Sequence, residues 1–144
     1  MISVEKLRKT NLFQDLSDQA LGDIAGFADS ASFEEGDNIY QLGDDANDLY
    51  VLESGRVRFS LGVGNRPDGA GSLILPGKVF GWAALLDGQP RRVATASCLE
   101  DSKLYIISRT NLLNLFEKNN EAGYQVMRQL ATIIAGDFVS VLSV

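Results

Sequence analysis

Phe80-Gly-Trp-Ala-Ala-Leu-Leu-Asp-Gly-Gln-Pro-Arg-Arg-Val-Ala-Thr-Ala96 interrupts a long run of alternating apolar and polar residues. The alternation stops at Phe80, a glycine follows, and Ala83-Ala-Leu-Leu86 leaves room for one helical turn only. The N-terminus of a helical turn exposes unpaired backbone N–H groups and the positive end of a dipole, an arrangement that suits an anion. Arg91 and Arg92 then open what reads as a strand. An arginine held on a strand opposite such a turn can clamp a phosphate through two parallel hydrogen bonds. The pattern therefore reads as a small phosphate cradle set into a β-barrel, against the plainer alternative of a loop with two solvated arginines.

On either side of this stretch, hydrophobic period divides the chain into helix, a long β region and helix. Ser17 is placed to cap a helix whose apolar face is Leu21, Ile24, Ala25 and Ala28. From Ser32 the period becomes two, with Phe33, Ile39, Leu49, Val51, Val57, Phe59, Leu61 and Val63 among polar neighbours. Gly36, Gly43, Gly55 and the glycines of 62–71 punctuate this region, which indicates short antiparallel strands in a sandwich or barrel, not βαβ units. Arg56–Val63 is the clearest strand, and 65–71 reads as an exposed hairpin loop. Strands are also expected at Arg92–Cys98 and Lys103–Ile107. Ser108 or Thr110 can cap a short helix carrying Leu112, Leu113, Leu115 and Phe116. A last helix from about Glu121 carries Tyr124, Met127, Leu130, Ile134, Phe138 and Val141 at spacings of three and four.

Composition narrows the chemistry. The 144 residues hold no histidine, which removes histidine relays and nearly all zinc, copper and non-haem iron sites. The single cysteine, Cys98, forms no intrachain disulfide and reads as a small core residue. A net charge of −6 disfavours DNA and anionic membrane as partners. No apolar run reaches membrane-spanning length, so a cytoplasmic location is expected. Asp44, Asp45 and Asp48 lack the ligand spacing of a calcium loop, and Gly62-Val-Gly64 precedes no helix. No paired carboxylates or nucleophile–base arrangement stands out, so the chain is expected to bind rather than to catalyse.

The 80–96 segment resembles the phosphate-binding cassette of the cyclic nucleotide-binding domain family, whose usual form is Phe-Gly-Glu-Leu-Ala-Leu, a variable stretch, then Pro-Arg-Ala-Ala-Thr. The resemblance extends through Phe33-Glu-Glu-Gly36-Asp37, Ile39, Gly43-Asp44, Leu49-Tyr-Val-Leu52 and Gly55-Arg-Val57, with Asn11–Ser17 before them and Lys103–Arg109 after, about 130 residues in all. It implies one domain over 1–144: N-terminal helices over 1–30, a β-roll over 31–108 with the cassette at 80–95, and C-terminal helices over 109–144. The implied fold is a double-stranded β-helix (jelly roll) of about eight strands with a long C-terminal helix. The implied ligand is a cyclic nucleotide of the cAMP or cGMP type, with no other cofactor and no metal. Counting forward from Arg92, Val-Ala-Thr-Ala occupies the family's Ala-Ala-Thr-Val. Arg92 is therefore assigned to the phosphate, with one extra residue in the cassette loop. Arg91 would then project to the opposite face at the rim of the site. Gly81, Trp82, Ala83, Ala84 and Val93 complete the implied ligand site, the N–H groups of Ala84 and Val93 finishing the cradle.

One position departs from the family. The cassette glutamate, which in the family accepts a hydrogen bond from the ribose 2′-OH, is Trp82 here. An indole only donates, and loss of one charge-assisted bond costs roughly 1.5–3 kcal/mol. The resemblance thus implies either a sensor that binds through phosphate and base with weaker ribose recognition, or a pocket plugged by Trp82 and turned into a protein–protein interaction module. A stand-alone domain is expected, with no DNA-binding segment after Phe138. Its output would pass through association with an effector protein and through a homodimer of the last helix, Leu130 and Ile134 near the seam.

Overall fold

Ser17 and Ser108 each accept a hydrogen bond from the backbone N–H three residues on, from Ala20 and Asn111, and so start two of the four helices as their sequence positions suggest. A computed structural model describes residues 1–60 and 73–142, without the side chains of Ser140 and Val141. Leu61, Val63, the Gly62–Gly64 pair and the 65–71 loop lie outside the described residues. The described chain runs α1 (Val4–Arg8), α2 (Asp18–Gly26), β1 (Ala28–Phe33), β2 (Asn38–Tyr40), β3 (Asp48–Ser54), β4 (Val57–Ser60), β5 (Leu73–Ile74), β6 (Val79–Phe80), a 3₁₀ turn (Trp82–Leu85), β7 (Thr95–Cys98), β8 (Ser102–Ser108), α3 (Arg109–Lys118) and α4 (Asn120–Leu142). The β region thus begins at Ala28, three residues ahead of the sequence boundary, because α2 ends at Gly26.

The strands form two four-stranded sheets, β1-β8-β3-β6 and β2-β7-β4-β5, in which each of the pairings is antiparallel. This is the expected jelly roll of mainly β structure with flanking helices. β3 explains how one sheet serves two cores. Leu49 and Val51 face the helices and join Leu7, Phe13, Leu21, Ile24, Leu112, Phe116, Val126 and Leu130. Tyr50 and Leu52, on the opposite pleat, face the other sheet and join Tyr40, Val57, Ile74, Phe80, Ala96, Cys98 and Leu104. Cys98 is buried there, as a small core residue should be.

The turn glycines have a physical reason. Gly55 sits at φ 100°, where an added Cβ would lie 2.7 Å from the Cα of Ser102, so β3 and β4 can close only over glycine. Along α4, Ala122, Val126 and Leu130 point into the helical core while Tyr124, Phe138, Val139 and Leu142 stand about three-fifths exposed. Leu130, 4% exposed, is thus a core residue of its own chain, which corrects its expected place at a dimer seam. Among the described residues no helix is long and apolar enough to cross a membrane.

Candidate functional site: the cassette and its buried arginine

The cassette is anchored at both ends by backbone pairing. β6 delivers Phe80 beside Tyr50 of β3, and the chain then turns at Gly81 with φ 79°. A Cβ at Gly81 would lie 2.9 Å from the Tyr50 ring and 3.0 Å from Nη1 of Arg92, so the close approach that glycine permits is to this ring and this guanidinium. Ala83, Ala84 and Leu85 of the 3₁₀ turn are buried, whereas 86–89 are exposed. At the far end, Ala46 N–H donates to the Pro90 carbonyl, Arg92 N–H to Asp44, and Gly43 N–H to Arg92. These bonds extend 90–92 against 43–46, with Asp45 opposite Arg91. The strand expected from Arg92 is therefore only a bridge at this point, and the continuous strand starts at Thr95.

Extended backbone sends neighbouring side chains to opposite faces, and the two arginines part accordingly. Arg91 is exposed, donates to the Gly43 carbonyl at 3.2 Å and stands 3.4 Å from the Asp45 carboxylate. Arg92 is 4% exposed. Its Nη1 donates to the Gly81 carbonyl at 3.0 Å and its Nη2 to the Asp48 carbonyl at 2.7 Å. The guanidinium lies 4.2 Å above the Tyr40 ring and 5.5 Å from the Tyr50 ring. Tyr50 in turn stacks on Phe80 with centroids 5.2 Å apart. Burial pushes the Tyr40 and Tyr50 hydroxyls up from their ordinary values, the nearby guanidinium opposing it in both. Burial also raises the Asp48 carboxyl, again against the pull of Arg92. Arg92 forms no ion pair with a carboxylate among the described residues, and its buried Nε–H has no partner.

Trp82 turns away from this aromatic cluster. Its ring packs with Ala46, Ala83 and Ala84 and against the helical core that holds Ile133 and Ile134. Its indole N–H donates to Oδ2 of Asp137, on α4, at 2.9 Å. Asp137 is half-buried, and burial raises its carboxyl above the ordinary value while the indole bond pulls it back.

The cyclic nucleotide-binding domain model matches residues 30–119, most of the roll and the first C-terminal helix. The chain belongs to this family. It is similar to the CRP-like cAMP-activated global transcriptional regulator of Mycobacterium tuberculosis, 25% identical over 131 residues, 88% of this chain and 56% of the regulator. It is also similar to the potassium channel KAT1 of Arabidopsis thaliana, 28% identical over 87% of this chain but 18% of the channel. The chain thus spans about half of the one relative and under a fifth of the other. The solved catabolite activator protein of Thermus thermophilus superimposes with a TM-score of 0.73 at 28% identity, over 92% of this chain and 63% of that one. A candidate cyclic nucleotide-binding protein of Geobacter metallireducens superimposes at 0.81 with 25% identity, over 96% and 99%.

Within the family frame, the structure buries Gly81, Ala83, Ala84 and Arg92, and leaves Arg91 and the Val93 side chain exposed. It brings Arg92 against Gly81 but packs Ala83 and Ala84 with Ala46 and Trp82. The Ala84 N–H, expected in the cradle, instead donates to the Gly81 carbonyl at 3.2 Å, because the 3₁₀ turn closes on that residue. Sequence reasoning missed three partners: Tyr40 over Arg92, Asp137 on Trp82, and Arg109 against the cassette loop. A signal for the second was present. Asp137 continues the inward stripe Ala122, Val126, Leu130, Ile133, and a carboxylate in such a stripe needs a donor.

Proposed function

We propose that this chain is a non-catalytic regulatory domain that binds a cyclic nucleotide of the cAMP or cGMP type, its phosphate held by Arg92. The observation that carries the reading is the state of that side chain. A guanidinium this buried forms no ion pair with a carboxylate among the described residues, the Asp48 carboxyl acting on it only from a distance. A bound anion would therefore compensate a charge that the chain itself leaves partly uncompensated. Its unpaired Nε–H is half of the side-on fork by which arginine grips a phosphate. The Val93 N–H, also without a partner in the described chain, and the N–H groups opening the 3₁₀ turn supply further donors. The ligand would reach the guanidinium by displacing the Tyr40 ring stacked on it.

Output would pass through α4 to a protein effector or a second copy. The exposed apolar residues Tyr124, Met127 and Phe138 would form the contact, since Leu130 is occupied in the core. Isothermal titration calorimetry with cyclic AMP, cyclic GMP and a cyclic dinucleotide tests the binding reading. Micromolar heat from either mononucleotide, absent in Arg92→Lys, is the expected result.

A second reading has its own observation. Both terminal nitrogens of Arg92 already serve backbone carbonyls and Tyr40 covers the face, which describes a closed site. In that reading the domain is an interaction module, and all three titrations are silent.

A further inference from the structure

Arg109, the first residue of α3, reaches back over the outer side of the cassette. Its Nη2 donates to the carbonyls of Leu86 at 3.1 Å and Gly88 at 3.2 Å, and its Nη1 to that of Ala84 at 3.5 Å. Its own N–H is fixed to the Asn47 carbonyl at 3.0 Å. We propose that Arg109 is a positioning residue of the anion site, which gathers these three carbonyls on the α3 side, sets the peptide orientations of the cassette, and makes ligand affinity depend on the placement of α3.

Three observations carry this. Residues 86–89 are all exposed, so the loop has almost no packing of its own to fix its shape, and an arginine fork replaces it. Arg109 forms no ion pair with a carboxylate among the described residues, so its charge is directed at the backbone. Finally, C=O and N–H of one trans peptide point in opposite directions. Carbonyls of Ala84, Leu86 and Gly88 turned toward Arg109 therefore turn the N–H groups of Leu85, Asp87 and Gln89 away from it. The Leu85 N–H lies inside the 3₁₀ turn, whereas those of Asp87 and Gln89 have no partner within the described chain. The cassette is thus held from inside by Arg92 at the Gly81 carbonyl and from outside by Arg109 at three later ones. If cassette geometry favours the ligand, linkage requires that ligand favour the same α3 position.

The inference rests on the reading that the cassette binds a cyclic nucleotide, and the experiment separates the two. Arg109→Ala and Arg109→Lys are compared in the full chain with Arg56→Ala, which removes only an exposed pair with Glu100. Amide exchange is measured in the ligand-free protein, and cyclic AMP affinity by calorimetry. Arg109→Ala should speed exchange at Ala84 and Leu86, the amides bonded within the turn, at least fivefold, while β3 and β8 amides keep wild-type rates and report an intact fold. Its cyclic AMP affinity should fall about tenfold, the scale of one charge-assisted hydrogen bond. Arg109→Lys should fall between it and wild type, and Arg56→Ala should match wild type. Unchanged exchange at Ala84 and Leu86, or wild-type affinity in Arg109→Ala, would overturn the positioning role alone. Silence of the wild-type protein toward the nucleotides would remove the ligand reading and the positioning role together.

Discussion

Trp82→Phe keeps most of the ring area but deletes the N–H that Asp137 accepts. A hydrogen bond to a charged group contributes about 1.5–3 kcal/mol. Asp137 is half-buried, so water recovers part of that, and a loss of about 1–1.5 kcal/mol is expected, or roughly 2–6 °C in Tm for a chain of this length. Asp137→Ala behaves differently. It removes the acceptor together with the burial cost that raises the carboxyl, and these opposing effects should leave stability within about 0.5 kcal/mol of wild type. With Asp137 absent, Trp82→Phe should then add little. The pH dependence has a definite sign. A carboxyl raised in the fold gives stability that is full below its unfolded value and lost as pH rises through its folded one. Trp82→Phe removes the bond that pulls Asp137 back down. Its penalty should therefore be largest near neutrality and shrink as pH falls toward the ordinary carboxylate range. Asp48 is raised as well, but it is common to all four proteins of the cycle and cancels. Urea unfolding followed by far-UV circular dichroism, at pH 7.5 and pH 4.5, measures each step. A Trp82→Phe penalty below about 0.3 kcal/mol at pH 7.5, or one unaffected by removing Asp137, would refute the link between cassette and helix.

Arg92→Ala should abolish most cyclic nucleotide affinity, about 2–5 kcal/mol for a buried phosphate partner, whereas Arg91→Ala should change it several-fold at most. Calorimetry on both decides it, and the reverse order would mean that the cassette register is wrong. Gly36 and Gly55 both have positive φ, but a Cβ at Gly36 meets open space and one at Gly55 meets the Ser102 backbone. Gly36→Ala should cost about 1–2 kcal/mol in denaturant unfolding and Gly55→Ala clearly more; equal costs would show that the Gly55 turn relaxes. Phe138→Glu should convert a homodimer to monomer in sedimentation or light scattering with Tm nearly unchanged, because Phe138 is exposed. A monomeric wild type at high concentration would count against the dimer.

Much of the fold was legible because its signals are local. Ser17 and Ser108 cap, the period changes from 3.6 to 2 near Ser32, and glycines mark the reversals at 36, 43 and 55. What was misread involves two-sided burial. The period of two set Leu49 and Val51 among polar neighbours, yet Tyr50 and Leu52 are equally buried, because this strand lies between the helical core and the second sheet. Leu130 was misplaced for a related reason. An apolar stripe on a helix does not reveal which of its residues its own domain covers.

By itself the sequence determined the family, through spaced glycines and a cassette whose residues stand in fixed order, and it separated Arg92 from Arg91 by register. Backbone chemistry makes such information local: a positive φ needs glycine, and an extended chain alternates its side chains. Only tertiary structure decided what surrounds Arg92 and where Trp82 points. Tyr40 comes from β2, far ahead of Arg92 in the sequence, Asp137 lies 55 residues beyond Trp82, and Arg109 faces carbonyls 21 to 25 residues behind it. Contacts of that range depend on how two sheets and two helices pack around one turn, and no local pattern in the chain encodes that packing.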